Sequence, residues 1–163
     1  MKLSTKGRYG LRALIDLAVY CTDEAAEETV SIQSIAKRQN ISDRYLEQLM
    51  GKLRRAGLVV SVRGAGGGYR LARPASEISV GEVLRVLEGN LDAVTCPGNG
   101  EEQGCEEADM CVTRYVWKRI NDSITQAVDT IMIEQLVEES RRIREEKGRV
   151  CSQSCEKKNG GKQ

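Results

Sequence analysis

From Ser4 to Val19, apolar residues recur at Leu11, Leu14, Ile15, Ala18 and Val19. Steps of three and four residues put them on one side of a helix, which turns once in about 3.6 residues. The acidic run TDEAAEE follows and reads as a surface loop. Ser31 is a favourable N-cap for a short second helix with Ile35 and Ala36 turned inward. Asn40 tolerates a left-handed backbone and can turn the chain. Ser42 then caps a third helix, from about Asp43 to Ala56, and Gly57 supplies the left-handed residue that ends it.

The pattern changes after Gly57. LVVSV (58–62) and YRLA (69–72) are β-rich and flank RGAGGG, which predicts a hairpin with a flexible tip, closed off by Pro74. Ser79 and Glu82 have capping-box spacing for a helix to about Glu88. Residues 90–111 lack periodicity and hold three cysteines. From Val112, the stripe Val112, Tyr115, Val116, Ile120, Ile124, Val128 and Ile131 predicts one longer helix. From Arg144 the chain is charged and glycine-rich, which predicts a mobile tail.

Composition narrows the class. Phe is absent and aromatics are 4%, so the core must be built from Leu, Ile, Val and Ala, which favours helices over an aromatic-rich sandwich. No apolar run approaches the roughly twenty residues of a membrane span. The first residues, MKLSTKGRYG, lack the apolar stretch of a secretory signal, so a cytoplasmic protein is expected. The net charge of +1 hides an asymmetry: residues 1–80 carry 13 Lys/Arg and 8 Asp/Glu, residues 81–147 carry 8 and 15. The basic half is the one suited to a polyanion.

The segment SIAKRQNISDRYLEQLMGKL has the helix-turn-helix pattern. Ala36 sits where two helices touch, Asn40 makes the turn, Ile41 follows it, and Leu46 and Leu49 anchor the second helix. A plain helical hairpin has the same periodicity, but the strand–glycine–strand unit behind it makes this a winged form. A recognition helix offers its N-terminal side chains to base edges in the major groove. Here these are Ser42, Asp43, Arg44, Tyr45, Glu47 and Gln48. Arg44 suits guanine, Gln48 suits adenine, and Glu47 can accept from the cytosine amino group. A carboxylate near phosphates discriminates rather than binds. Lys2, Lys6, Arg8, Lys52, Arg54 and Arg55 are candidate phosphate contacts. Gly64, Gly66, Gly67 and Gly68 let the wing backbone approach DNA, and Arg63 can enter a minor groove. A nucleotide-binding phosphate loop is excluded by context, because this loop joins two strands and has no Gly-Lys-Ser/Thr ending.

STKGRYGLRAL, SDRYLEQLMGKLRRAGLV and SVRGAGGGYRLA resemble the family of winged-helix regulators that includes IscR, CymR and NsrR, from Met1 to about Glu139. The resemblance implies a homodimer with crossing C-terminal helices and double-stranded operator DNA as partner. By matching position it points to Ser42, Arg44, Glu47 and Arg63 as DNA contacts. The expected architecture is mainly α with a small β-hairpin wing: a winged helix-turn-helix domain plus a long C-terminal dimerisation helix. Its parts are a DNA-binding domain (1–80), a linking helix and cysteine-bearing loop (81–111), a dimerisation helix region (112–143) and a flexible tail (144–163).

The six cysteines are Cys21, Cys96, Cys105, Cys111, Cys151 and Cys155. Cys96, Cys105 and Cys111 fall among Gly, Glu and Asp, which is no packing environment. Three thiols in one loop cannot all pair, and a reducing compartment disfavours disulfides. A soft metal or cluster site remains, and spacing leaves zinc and iron–sulfur both open. The resemblance to IscR-like members implies a 2Fe–2S cluster on the three loop cysteines. Two departures stand out. The two cysteine intervals are equal in the family, whereas here they are eight and five residues. Where IscR-type members have a histidine this chain has Arg114, and it contains no histidine at all. A fourth ligand must be another cysteine, a carboxylate, a backbone or hydroxyl group, or an outside molecule. Cys151 and Cys155 are a thiol reserve, and Cys21 reads as structural. The acidic residues around the loop should lower the potential of a cluster held there.

The expectation is therefore a non-enzymatic, dimeric repressor that senses iron–sulfur cluster status and controls cluster-assembly genes. CymR-like control of cysteine metabolism and NsrR-like nitric-oxide sensing are alternatives within the class. A structural zinc DNA-binding protein and a small redox protein are alternatives outside it.

Overall fold

The computed structural model describes residues 3–21, 29–64, 66–94 and 110–159, with side chains through residue 147. Helix α1 (Thr5–Tyr20) starts where the Ser4 hydroxyl accepts from the Lys6 N–H at 3.0 Å. Its first turn receives a second acceptor from elsewhere in the chain. Glu88 Oε1 accepts from Ser4 N (3.0 Å), Ser4 Oγ (2.6 Å) and Gly7 N (2.8 Å), filling orphan donors that a helix start leaves open.

Helices α2 (Ile32–Gln39) and α3 (Asp43–Arg55) are capped by Ser31 and Ser42, and the chain turns between them at Asn40, φ 53° and ψ 52°. Gly57, φ 73°, releases the chain from α3 into strand β1 (Val59–Val62), which pairs antiparallel with β2 (Gly68–Leu71). A single 3-10 turn (Ala75–Glu77) leads to α4 (Val80–Glu88). Ser79 accepts from the Glu82 N–H at 3.1 Å, but the Glu82 carboxylate pairs with Arg73, so only half of the capping box forms.

The core is aliphatic, as the missing Phe requires. Leu14, Leu17, Ile35, Leu46, Leu49, Met50, Leu53, Leu58, Ile78 and Val83 are fully buried where α1 to α4 and the hairpin meet. Each contributes roughly 1.5–3 kcal/mol on removal from water.

One expectation about the C-terminal part is corrected. The single long helix is two: α5 (Val112–Asp129) and α6 (Ile133–Asn159). Between them the chain is extended and bridges the segment ahead of α4. Val80 N donates to Ile131 O at 2.8 Å, and Ile133 N donates to Ile78 O at 2.9 Å. Those bonds replace helical ones, and they draw Ile133 fully into the core. Helix α6 continues past Arg144 to Asn159. No helix among the described residues is long and apolar enough to cross a membrane.

Candidate nucleic-acid interface

Burying Leu46, Leu49, Met50 and Leu53 fixes which side of α3 faces the core. The opposite side carries Ser42, Asp43, Arg44, Glu47 and Gln48, all exposed. Arg44, Glu47 and Gln48 make no hydrogen bond or ion pair to other described residues, so their donors and acceptors are available to a ligand. Ser42 uses its hydroxyl as the cap, accepting from Tyr45 N at 3.3 Å. Tyr45 is half-buried instead: its ring meets Tyr9 edge-on with centroids 6.2 Å apart, and its hydroxyl lies 3.5 Å from Thr5 Oγ1. Tyr45 thus holds the start of α3 against α1.

The candidate phosphate contacts divide. Lys6, Arg8 and Arg55 are exposed. Lys52 turns back toward α4, its ammonium 3.4 Å from the Leu87 carbonyl oxygen. Arg54 donates to Ser61 Oγ at 3.2 Å and ties the end of α3 to the wing. Lys2 lies outside the described residues.

In the wing, Val59 pairs with Leu71 and Val62 with Gly68, which leaves Arg63 and Gly64 beyond the ladder. Gly64 has φ 118°, and the Gly67 N–H closes the turn onto its carbonyl at 2.9 Å. Arg63 and Gly66 are exposed, and Gly67 is partly covered. The wing has a support absent from the sequence reading. Val30 and Tyr69 exchange two backbone hydrogen bonds of 2.9 Å, and Thr29 Oγ1 donates to the Gly66 carbonyl at 2.5 Å. Gly68 is what permits this third chain: a Cβ there would lie 2.5 Å from the Val30 carbonyl oxygen. The β-branched pair Thr29–Val30 beside Ser31 was the available signal.

Behind the turn sits a buried charge. Asp16 takes a fork from Arg38, with Nη2 at 2.6 Å and Nε at 3.0 Å, and a further bond from Gln39 Nε2 at 3.0 Å. The carboxylate bond raises the Arg38 guanidinium above its ordinary pKa against the opposing effect of burial. Removing Arg38 would take the main partner from the buried Asp16 carboxylate, so the last turn of α2 is firmly held to α1.

The cysteine region is partly in view. Cys111 is the half-buried N-cap residue of α5, its Sγ 3.1 Å from Thr113 Oγ1. Cys96 and Cys105 lie outside the described residues, as do the side chains of Cys151 and Cys155. Among the described residues no three metal-ligating side chains converge. Asn121, which the sequence reading missed, clasps the approach to the loop. Its Oδ1 accepts from Ala93 N (2.9 Å) and Val94 N (3.4 Å), and its Nδ2 donates to Val94 O (3.0 Å). Both ends of the 95–110 segment are therefore fixed to α5, at Asn121 and at Cys111. They stand about 15 Å apart along the helix axis at 1.5 Å per residue. On α5 itself no residue is buried, and Tyr115, Val116, Arg119, Ile120, Ser123 and Ile124 line an open groove.

A helix with unengaged polar side chains, set after an αL turn and followed directly by a glycine-tipped hairpin, defines a winged helix-turn-helix transcription regulator. The chain belongs to the Rrf2 family of iron-dependent transcriptional regulators, whose model matches residues 3–139. The transcriptional regulator IscR of Pectobacterium carotovorum is 42% identical over 137 residues, which cover 84% of this chain and 79% of that protein. Escherichia coli IscR is 43% identical over 137 residues, covering 84% and 80%. Among solved structures, CymR, the global cysteine regulator of B. subtilis, has a TM-score of 0.67 at 41% identity, covering 85% of this chain and 97% of that one. T. potens IscR has a TM-score of 0.65 at 42% identity, covering 86% and 88%. The expected fold class and the IscR/CymR resemblance both hold.

Proposed function

We propose that this regulator acts as a homodimeric repressor in the cytoplasm. It reads operator DNA through Ser42, Arg44, Glu47 and Gln48, with Arg63, Gly66 and Gly67 of the wing against the neighbouring minor groove. Tyr45 and Arg54 serve that interface by holding α3 in place. The observation that carries this reading is the set of exposed, unengaged side chains on α3 beside an equally unengaged Arg63. Phosphate neutralisation by Lys6, Arg8 and Arg55 supplies affinity, and the base-edge contacts supply choice.

The same proposal assigns Cys96, Cys105 and Cys111 to a 2Fe–2S cluster. The donor chemistry fits: Cys111 sits at the N-terminus of an 18-residue helix, where the dipole favours a thiolate. The cluster, when bound, supplies an iron centre sensitive to redox state and iron supply. The chain's own part is to tie both ends of the loop to α5 through Asn121 and Cys111. Order in the loop is thereby linked to the posture of α5, and through it to two recognition helices. The targets proposed are iron–sulfur assembly genes, in keeping with the IscR relatives.

Protein purified without oxygen should show visible absorption with matched iron and sulfide. Changing any of the three cysteines to Ala should remove both. Gel shifts on the DNA upstream of its own gene, with and without cluster, should differ. Colourless, zinc-loaded protein would overturn the cluster assignment while leaving the DNA interface intact. A second reading, control of cysteine metabolism without a cluster, is favoured by Arg114 in place of a histidine and by the likeness to CymR. Colourless, metal-free protein that shifts the same DNA would support it.

A further inference from the structure

The family match ends at residue 139, yet α6 continues with its inward side still engaged. Ile133 and Val137 are buried on it, and Arg144 follows two turns later on the same side. Arg144 reaches Tyr20, the last residue of α1. Its Cζ lies 5.0 Å from the ring centroid and its Nη1 donates to the phenol oxygen at 3.1 Å. Against the same ring lies Arg38, with Cζ 4.0 Å from the centroid. Arg38 is the residue forked onto buried Asp16 in the last turn of α2, two residues before the Asn40 turn that aims α3.

We propose that Arg144 is a positioning residue for DNA reading, acting through Tyr20 and Arg38 to hold the end of α2 and so the entry angle of α3. Tyr20 is 42% exposed, and a surface ring without a polar anchor samples several rotamers. The Arg144 bond to its hydroxyl fixes the ring where Arg38 rests on it. Arg38 then has two restraints, the Asp16 fork and the Tyr20 face, and the helix-turn-helix has one posture to offer DNA. Arg144 itself stands on a helix outside the reading face. It therefore tunes how much of the protein is correctly posed, not how many phosphates it touches.

The test uses the full-length protein and a duplex that the wild type has selected from a random-sequence pool. Arg144→Ala should weaken binding about two- to fivefold, the worth of an exposed cation–π contact, with the salt slope unchanged. Tyr20→Leu should do the same, and the double variant should be no weaker than Tyr20→Leu alone. Tyr20→Phe, which keeps the ring and loses the hydroxyl, should fall between wild type and Tyr20→Leu. Amide exchange at Ile41, whose N–H bonds the Ala36 carbonyl across the turn at 3.1 Å, should quicken in Arg144→Ala at unchanged helix content. Unaltered affinity in Arg144→Ala overturns the proposal. So do additive losses in the double variant, or a salt slope reduced by about one, which would make Arg144 a direct phosphate contact.

Discussion

Single side chains at the reading face divide by what they leave unengaged. Glu47 is exposed with no partner among the described residues, so in the proposed interface its carboxylate is available to a donor on DNA. Glu47→Ala should relax discrimination at one base pair by about 1–3 kcal/mol while strengthening binding to unrelated sequence. Competition gel shifts against single-base operator variants measure both. If the proposed interface holds, Arg63→Ala should weaken binding and lower the salt slope by about one, since its exposed guanidinium has no partner among the described residues and is free to meet a phosphate or groove. Gly68 carries a different burden. Its Ala variant would press a Cβ onto the Val30 carbonyl, a backbone atom that cannot step aside. A loss of about 1–3 kcal/mol in denaturant unfolding is expected. Residues whose role is local were legible in the sequence: Ser31, Ser42 and Ser79 as caps, Asn40 as the turn. Asn121, Thr29 and Asp16 were not, because their partners lie between 22 and 37 positions away along the chain and no spacing rule reports such pairs.

At the scale of elements, periodicity reported helices well and their interruptions poorly. The apolar stripe through Ile131 continues the α5 pattern, yet Ile131 leaves the helix because its carbonyl is taken by Val80 N. A strand-like bridge competes with helix only after the chain has folded back, and no window of sequence contains both partners. The Glu88 cap of α1 has the same character, since it joins α4 to an N-cap residue 84 positions earlier. The Ser4 hydroxyl chiefly, helped by the Gly7 and Ser4 N–H groups and the Lys6 charge, holds the Glu88 carboxyl below its ordinary pKa, against burial. A carboxyl lowered on folding stabilises the native state fully above its unfolded pKa, and that contribution fades as pH falls through the folded value. Unfolding midpoints should therefore drop in acid below the usual carboxylate range. Glu88→Gln should cost about 1–2 kcal/mol at neutral pH and flatten part of that acid dependence.

At the scale of the whole molecule, α5 is an 18-residue helix on which no residue is buried, while Tyr115 is 66% and Val116 45% exposed. A stripe of that kind is costly in water, and burial against a second copy would remove the cost. Two-fold pairing along α5 would also set two recognition helices a fixed distance apart. A dimer of winged domains reads half-sites about 34–36 Å apart, one turn of the duplex. Ile120 lies mid-stripe and is 37% exposed, so a charge there spoils the interface while removing little from the protomer. Ile120→Glu should give a monomer by light scattering, with helix content unchanged. Affinity for a duplex with both half-sites should fall toward that for one, because the second contact no longer gains from linkage to the first. If Ile120→Glu stays dimeric, α5 is not the face that joins the copies. The exposed stripe must then meet the 95–110 segment or another protein, and the loop's route to the recognition helices would run within one protomer.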